Sequence, residues 1–192
     1  MATLTGEDLP AKAGTVGRPF AFNRLQIIDS EGRPCERGEP GRIRVRTICS
    51  ADAVIGEARA TSDRIVDGWV VTGDIGYLDT DGYLTLSGRA SDLIIRNGVN
   101  VFPREIESVL DGHDEVVESA VVGIPHETAG EEIAAFVVAG KDVRAEDLAV
   151  YLRGRLVADK RPTVIRIVET LPRNPSGKVV KRDLADLLTS AD

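Results

Sequence analysis

The chain has 192 residues, of which 42% are hydrophobic and 29% charged, and its formal net charge is −7. This composition is ordinary for a soluble globular protein, and the length allows one or two domains with a core of their own. The negative charge excludes the broad cationic surface that sequence-independent nucleic-acid binding uses, and no apolar run approaches the ~20 residues of a membrane span.

Nothing in the sequence indicates export or a metal site. The first five residues lack the basic and apolar segments of a signal peptide. The two cysteines, Cys35 and Cys49, have neither metal-ligand spacing nor the density of a disulfide scaffold. A reducing cytoplasm is therefore the expected location.

Up to Ser87 the sequence predicts short strands separated by turns. Residues 24–29 form a predicted strand, and residues 41–46 alternate polar and apolar side chains with the period of two that a half-buried strand shows. A hairpin follows, because apolar residues flank the turn sequence Thr80-Asp81-Gly82. Residues 50–63 have little periodicity and are predicted to form an irregular surface loop.

From Gly88 onward the pattern changes to alternating strands and helices. Pro103 suits the first turn of a helix, where its missing N–H costs nothing, and Ile106, Val109 and Leu110 share one face of that helix. The other predicted elements are strands at 116–123, 133–138 and 164–168, a helix at 145–157 with Leu148, Tyr151, Leu152 and Leu156 inward, and a short helix at 182–188.

The predicted fold class is therefore α+β. Residues 1–87 are expected to form an all-β segment, and residues 88–192 a small α+β domain within the usual size range. The boundary between the two falls at residues 88–92.

Three short motifs carry a resemblance to a known family. They are Thr72-Gly73-Asp74, the segment 88–107 and Asn174-Pro175-Ser176-Gly177-Lys178. Each is weak alone, since short motifs match by chance. Together, in this order, they resemble the C-terminal part of the adenylate-forming (ANL) superfamily, which includes acyl-CoA and aryl-CoA synthetases, luciferases and adenylation domains of peptide synthetases. The similarity runs from about Gly14 to Leu188.

The resemblance implies a function and a domain organisation. It implies the C-terminal part of an AMP-forming acyl-CoA synthetase, which joins a fatty or aryl acid to coenzyme A with ATP. Residues 1–87 would be the distorted, barrel-like end of a large N-terminal domain, and residues 88–192 a mobile cap. The family's phosphate-binding loop and the glutamate that helps to hold Mg²⁺ have no match here. The partners expected are therefore the acid, ATP, coenzyme A and the rest of that domain, with the Mg²⁺ ligands outside this chain.

Two other functions stay open. One is the adenylation domain of a peptide synthetase, which passes its product to a carrier protein. The other is a noncatalytic, isolated C-terminal domain that binds a partner. In either case, the 192 residues alone are expected to be inactive as a ligase.

The resemblance assigns Asp74 and Arg89 to the nucleotide. Asp74 would accept hydrogen bonds from both ribose hydroxyls, because an ionised carboxylate has two acceptor oxygens. It follows a predicted strand that ends at Gly73, so a turn-capping aspartate is the alternative. Arg89 would contact the ribose and phosphates, for which its planar, permanently charged guanidinium is suited; the alternative is a surface arginine.

The resemblance also assigns a hinge and a thiol-binding surface. The hinge residue of the family, commonly Asp or Lys, corresponds to Ser91, which is small but lacks the charge. In relatives the glycine that corresponds to Gly98 lines the tunnel for the pantetheine arm of coenzyme A. Asn97-Gly98 is also a turn signature in its own right, and a plain hairpin turn is compatible with that role.

Lys178 is the expected catalytic residue. Its surroundings, residues 172–178, are too rich in proline and glycine to form a helix or a strand. An ammonium group there would stabilise the charge that develops on phosphate oxygens during adenylation. The alternative is a solvated loop lysine, which is the usual state of this residue type.

Two other polar features are given ordinary roles. His126, one of two histidines, has no partner in sequence that indicates a triad or a metal site, and it is predicted to be a turn or surface residue. Glu127, Glu131 and Glu132 are predicted to form a solvated rim.

Overall fold

The computed structural model describes residues 2–49, 65–140, 142–185 and 188. The chain divides into two compact units, Met1–Ser91 and Asp92–Asp192. The loop predicted for residues 50–63 lies outside the described residues. Among the described helices, none has both the length and the apolar character needed to span a bilayer.

The first unit is built from antiparallel strands, as its alternating sequence predicts. In chain order they are β1 (Ala2–Thr3), β2 (Arg18–Pro19), β3 (Arg24–Ile28), β4 (Gly41–Arg46), β5 (Ile65–Val66), β6 (Trp69–Leu78) and β7 (Leu84–Arg89). The main sheet has the order β3-β4-β6-β5, with β7 also paired to β6, and β1 pairs with β2 separately. Ile27, Ile43, Val45 and Leu84 form its buried cluster.

The hairpin predicted around residues 80–82 is confirmed as the connection between β6 and β7. The carboxylate of Asp79 accepts the backbone N–H groups of Asp81 and Tyr83 at 2.9 and 2.8 Å. Gly82 has a φ of 85°, which glycine adopts without steric cost.

The second unit is a sheet with helices, and the predicted α+β class is confirmed. Its elements are β8 (Ile94–Arg96), β9 (Val99–Val101), α1 (Pro103–Leu110), β10 (Val116–His126), β11 (Gly130–Ala139), α2 (Ala145–Arg153) and β12 (Val164–Ile167). The antiparallel order is β10-β11-β8-β9, and β12 runs parallel to β11. Short 3₁₀ turns lie at Ala90–Asp92, Ala158–Lys160 and Lys181–Leu184.

Strand β11 separates two buried clusters, because successive side chains of a strand point to opposite faces. Ile133, Ala135 and Val137 belong to one cluster, which contains buried leucine and isoleucine side chains of both helices and the buried residues of the β8–β9 hairpin. Ala134 and Phe136 belong to the other, which contains Leu171 and Leu184 from the C-terminal part of the chain. The hairpin and the C-terminal segment are therefore anchored on opposite faces of the same sheet.

Four predicted elements differ in extent by more than one residue. The strands expected at 116–123 and 133–138 are longer and form one hairpin, β10–β11. Helix α2 ends at Arg153 rather than at residue 157, because Gly154, a poor helix former, is its C-cap. The helix expected at 182–188 begins as the 3₁₀ turn Lys181–Leu184, and residues 186 and 187 lie outside the described part.

Candidate functional site

The structure brings Asp74 and Arg89 together on neighbouring strands of the first unit. They are directly opposite each other in the β6–β7 pairing, and Arg89 Nε lies 3.5 Å from Asp74 Oδ1. The side chain of Asp74 is 43% exposed and that of Arg89 is 66% exposed. An exposed ion pair of this kind contributes little to stability, and both groups are accessible to a ligand.

Asp74 lies inside a strand, at an irregularity in its pairing. The prediction that the strand ends at Gly73 is wrong, because β6 continues to Leu78. The register between β4 and β6 shifts here, and the Thr72 hydroxyl donates to the carbonyl of Ile43 at 2.9 Å. Such bulges redirect side chains beside binding sites. The alternative role of Asp74 as a turn cap is wrong for the same reason.

A closed turn carries Lys178. Asn174 Oδ1 accepts the backbone N–H groups of Ser176 and Lys178 at 3.1 and 2.9 Å, and the Asn174 N–H donates to the Lys178 carbonyl at 2.9 Å. Gly177 has a φ of 81°, in the left-handed region that favours glycine. The predicted absence of helix and strand in this loop is confirmed, and Asn174 fixes its shape.

The side chain of Lys178 projects from this turn into solvent. The residue is exposed, and its ammonium forms no hydrogen bond or ion pair with the part of the chain that the structure describes. Arg173, by contrast, contacts Glu118 and donates to the Gly177 carbonyl at 2.7 Å. The structure therefore combines a fixed backbone with an available cation.

The segment after the turn is also fixed. Lys181 Nζ lies 2.6 Å from Glu107 Oε1, and the same oxygen accepts the N–H of Val121 at 2.9 Å. Glu107 belongs to α1, and its side chain is only 17% exposed. The Lys178 turn is thus held on both sides, by Arg173 before it and Lys181 after it.

Asn97 and Gly98 form the two-residue turn of the β8–β9 hairpin. Their φ angles are 51° and 78°, the pair of positive values that a type I′ turn requires, and Arg96 pairs with Val99 on either side. A Cβ placed on Gly98 would meet no described atom within 4 Å. The turn signature is confirmed, and the surface around Gly98 is open.

The end of this hairpin next to the turn contains an ion pair that sequence reasoning missed. Arg96 Nη2 lies 3.1 Å from Glu132 Oε2, and the two side chains are only 15% and 14% exposed. The Thr163 hydroxyl donates to the same glutamate oxygen at 2.8 Å. Glu132 follows Arg96 by more than thirty residues, so no local pattern indicates the pair.

The acidic rim predicted from the sequence is partly wrong. Glu127 is exposed, as predicted. Glu131 instead accepts the N–H of Ile95 at 2.7 Å, and Glu132 is the half-buried partner of Arg96. In the described pairing, β8 and β11 share one pair of opposed residues, Gly130 and Arg96. The carboxylates of Glu131 and Glu132 provide further hydrogen-bond acceptors between the two strands.

The environment of Glu132 predicts a pH effect. Burial favours the neutral carboxyl, but the Thr163 hydroxyl and the Arg96 guanidinium outweigh it, so the pKa of Glu132 is below its ordinary value. Such a group stabilises the fold above its unfolded pKa and loses that contribution as the pH falls through its folded pKa. From about pH 7 to about pH 3.5, the free energy of unfolding should therefore fall less in Glu132→Gln than in the unaltered protein. Urea unfolding measures this, and an equal fall in both would contradict it.

His126 lies at the end of β10 and closes the turn to β11. Its Nδ1 accepts the N–H groups of Thr128 and Ala129 at 3.3 and 3.2 Å. The residue is also exposed, so the prediction of a turn or surface histidine is confirmed.

The remaining expectations concern the hinge and the metal. Ser91 lies in the 3₁₀ turn Ala90–Asp92, where the two units meet in sequence. Within residues 2–49, 65–140 and 142–185, no three His, Cys, Asp or Glu side chains gather in a way that could hold a metal ion.

Comparisons with known proteins identify the family of this chain. The family of AMP-binding enzyme C-terminal domains matches residues 105–178. The fatty acid–acyl-carrier-protein ligase ScoC of Streptomyces coeruleorubidus is 41% identical over 88% of this chain and 33% of its own length. The 2-succinylbenzoate–CoA ligase of Bacillus licheniformis is 38% identical over 96% of this chain and 38% of its own length.

A solved structure extends the similarity to the fold. The o-succinylbenzoate CoA synthetase MenE of Bacillus subtilis, in complex with the acyl-adenylate intermediate OSB-AMP, matches with a TM-score of 0.90 and 36% identity over 95% of this chain and 38% of that one. The same synthetase has been solved with ATP and a magnesium ion. The present chain thus spans little more than a third of the length of these relatives. It belongs to the adenylate-forming ligases, of which it is the C-terminal part.

Proposed function

We propose that the protein containing this chain is an AMP-forming carboxylic acid:CoA ligase, with a fatty or aryl acid as substrate. In the first step, a carboxylate oxygen attacks the α-phosphorus of ATP, and pyrophosphate leaves. In the second, the sulfur of coenzyme A attacks the acyl carbon of the adenylate, AMP leaves, and the thiol gives up its proton. Solved relatives with ATP, magnesium ion and acyl-adenylate support this assignment.

The observation that carries the proposal is the exposed ammonium of Lys178 on a hydrogen-bonded turn. Negative charge increases on the phosphate oxygens as pyrophosphate departs, and a cation held in place stabilises it without reorganisation. Asn174 bonds both the N–H and the carbonyl of Lys178, so the backbone that carries the ammonium is held in place. Lys178 therefore serves the first step.

Asp74 and Arg89 serve the nucleotide. The exposed carboxylate of Asp74 has acceptor oxygens for two ribose hydroxyls, and the guanidinium of Arg89 beside it offers donors to ribose and phosphate oxygens. At a separation of 3.5 Å, the two groups can contact the same ligand. Magnesium, which neutralises phosphate charge when it is bound, takes its protein ligands from the rest of the enzyme.

The Asn97-Gly98 turn serves the second step. Coenzyme A reaches the adenylate along the open surface at Gly98, where no described side chain would lie within 4 Å of an added Cβ. The two steps need different surfaces of the second unit, and rotation at Ser91 replaces the surface used in the first step by the surface used in the second. A small residue in a short turn can absorb the required dihedral change. We place the enzyme in the cytoplasm, where ATP and coenzyme A are both present.

The thiol acceptor has a second candidate. The relative ScoC, 41% identical, is named as a ligase for acyl-carrier protein. Its acceptor would present the same pantetheine thiol on a protein instead of a nucleotide, so the chemistry of both steps is unchanged.

The proposal is tested with the intact protein, ATP, magnesium ion, and either dodecanoate or 2-succinylbenzoate. We expect acid-dependent exchange of pyrophosphate into ATP, and then acyl-CoA and AMP in equal amounts once coenzyme A is added. Exchange without acyl-CoA, followed by acylation of a pantetheinylated carrier protein, would favour the second candidate. No exchange with either acid would contradict the proposal.

A further inference from the structure

The guanidinium of Arg96 joins three segments of the second unit. One nitrogen, Nη2, contacts Glu132 on β11 at 3.1 Å, and the other, Nη1, donates to the carbonyl of Arg161 at 3.0 Å and lies 3.4 Å from that of Asp159. Its Nε is buried without a hydrogen-bond partner among the described atoms. Arg96 therefore links β8, β11 and the segment before β12 in a site where its side chain is 15% exposed.

Water reaches little of the Arg96 guanidinium, so solvation alone does not stabilise its charge. A half-buried guanidinium with one unsatisfied nitrogen carries a desolvation penalty, which its partners must offset. Glu132 is itself held by the hydroxyl of Thr163 at 2.8 Å. The three side chains form a polar network with a defined geometry, in contrast to the exposed ion pairs elsewhere, such as Arg144 with Asp147.

This network lies directly beneath the Asn97-Gly98 turn. Arg96 is the last residue of β8, and the next residue, Asn97, donates its N–H to the carbonyl of Ala129 at 2.9 Å. In the described backbone pairing, β8 and β11 share one pair of opposed residues, Arg96 and Gly130. Because this pairing is so short, the side-chain contacts of Arg96, together with the hydrogen bonds of Ile95 and Asn97, hold the tip of the hairpin against the sheet.

We propose that Arg96 and Glu132 are positioning residues for thioester formation. They hold the Asn97-Gly98 turn where the pantetheine arm passes, and neither touches the reacting atoms. This inference rests on the proposed function. It also predicts selectivity, because none of the described contacts of Arg96 and Glu132 is made with the Lys178 turn, so loss of the Arg96 network should leave the adenylation step in place.

The test compares two half-reactions in the intact protein. Arg96→Met and Glu132→Gln should lower the transfer of dodecanoyl or 2-succinylbenzoyl groups from supplied acyl-adenylate to coenzyme A by about 10²-fold, since small displacements of positioning groups have effects of this size. Acid-dependent pyrophosphate exchange should stay within about threefold of the unaltered enzyme, because Lys178 is unaffected. Arg144→Met, which removes an exposed ion pair, is the matched control and should change neither step.

Equal losses in both half-reactions, or no loss of transfer, would overturn the positioning role while the proposed function stands. Amide hydrogen exchange tests the positioning role a second time and needs no substrate. Arg96→Met should raise the exchange rate of the Asn97 amide by about tenfold, through weaker local protection, and leave the amide of Lys178 unchanged. If the unaltered protein used neither acid, the proposed function would fail, and an unchanged Asn97 amide would then also overturn the positioning role.

Discussion

Replacing Lys178 with alanine in the intact protein is expected to lower the rate of acyl-adenylate formation by about 10²–10³-fold. The ammonium is exposed on a turn whose backbone is fixed by Asn174, so removing it takes away one cation and leaves the fold intact. Conversion of supplied acyl-adenylate to acyl-CoA should be nearly unchanged, because that step develops no charge on a departing pyrophosphate. Pyrophosphate exchange and single-turnover thioester formation measure the two steps separately.

Arg182→Ala is the matched control for this variant. Arg182 is a nearby cation whose side chain is 88% exposed and, among the described residues, pairs with its neighbour Asp183, so both steps should keep their rates. Lys178→Arg keeps the charge but replaces a compact ammonium by a planar group, and it should recover part of the adenylation rate. An equal loss of both steps in Lys178→Ala would contradict the assignment.

Much of the fold follows from local sequence patterns. The alternation in β4, the turn at Thr80-Asp81-Gly82 and Pro103 at the start of α1 all act within a few residues, and each was predicted correctly. The bulge at Asp74 was not, because it depends on the register with β4, a strand distant in sequence. Local propensity can identify a glycine that permits irregular backbone, but it does not say whether the strand ends or continues there.

The candidate site divides in the same way. Asn97-Gly98 and Asn174 to Lys178 are local turns, so their conformations can be predicted from turn chemistry. Their supports cannot. Arg96 contacts Glu132, and Lys181 contacts Glu107. The partners of each pair are far apart in sequence, and folding brings them together. Glu131 and Glu132 were expected in solvent because adjacent acidic residues usually are, yet each accepts a hydrogen bond that fixes β8 or its Arg96 side chain.

The two anchoring clusters give a physical basis for the two roles proposed for this small domain. The Lys178 turn is flanked by Leu171 and Leu184, which are buried against one face of the sheet. The hairpin is anchored by Ile94 and Val101, which pack with the helices on the other. Under the proposed function, rotation of the whole unit would present one segment or the other with no change in its internal packing.

Replacing Gly98 with leucine is expected to lower the transfer of the acyl group to coenzyme A by about 10²-fold, since misplacing the thiol relative to the adenylate has an effect of this size. Adenylation should keep its rate, because Lys178 lies in a different segment. Gly98 has a φ of 78°, so any side chain strains the backbone there. Gly98→Ala shares that strain but adds only a methyl group into open space, and it should retain most of the transfer rate. Both variants are measured with supplied acyl-adenylate, and the comparison of leucine with alanine separates the effect of side-chain size from that of backbone strain. Equal losses of transfer rate in both variants would mean that the turn matters for its conformation and that the pantetheine arm does not pass Gly98.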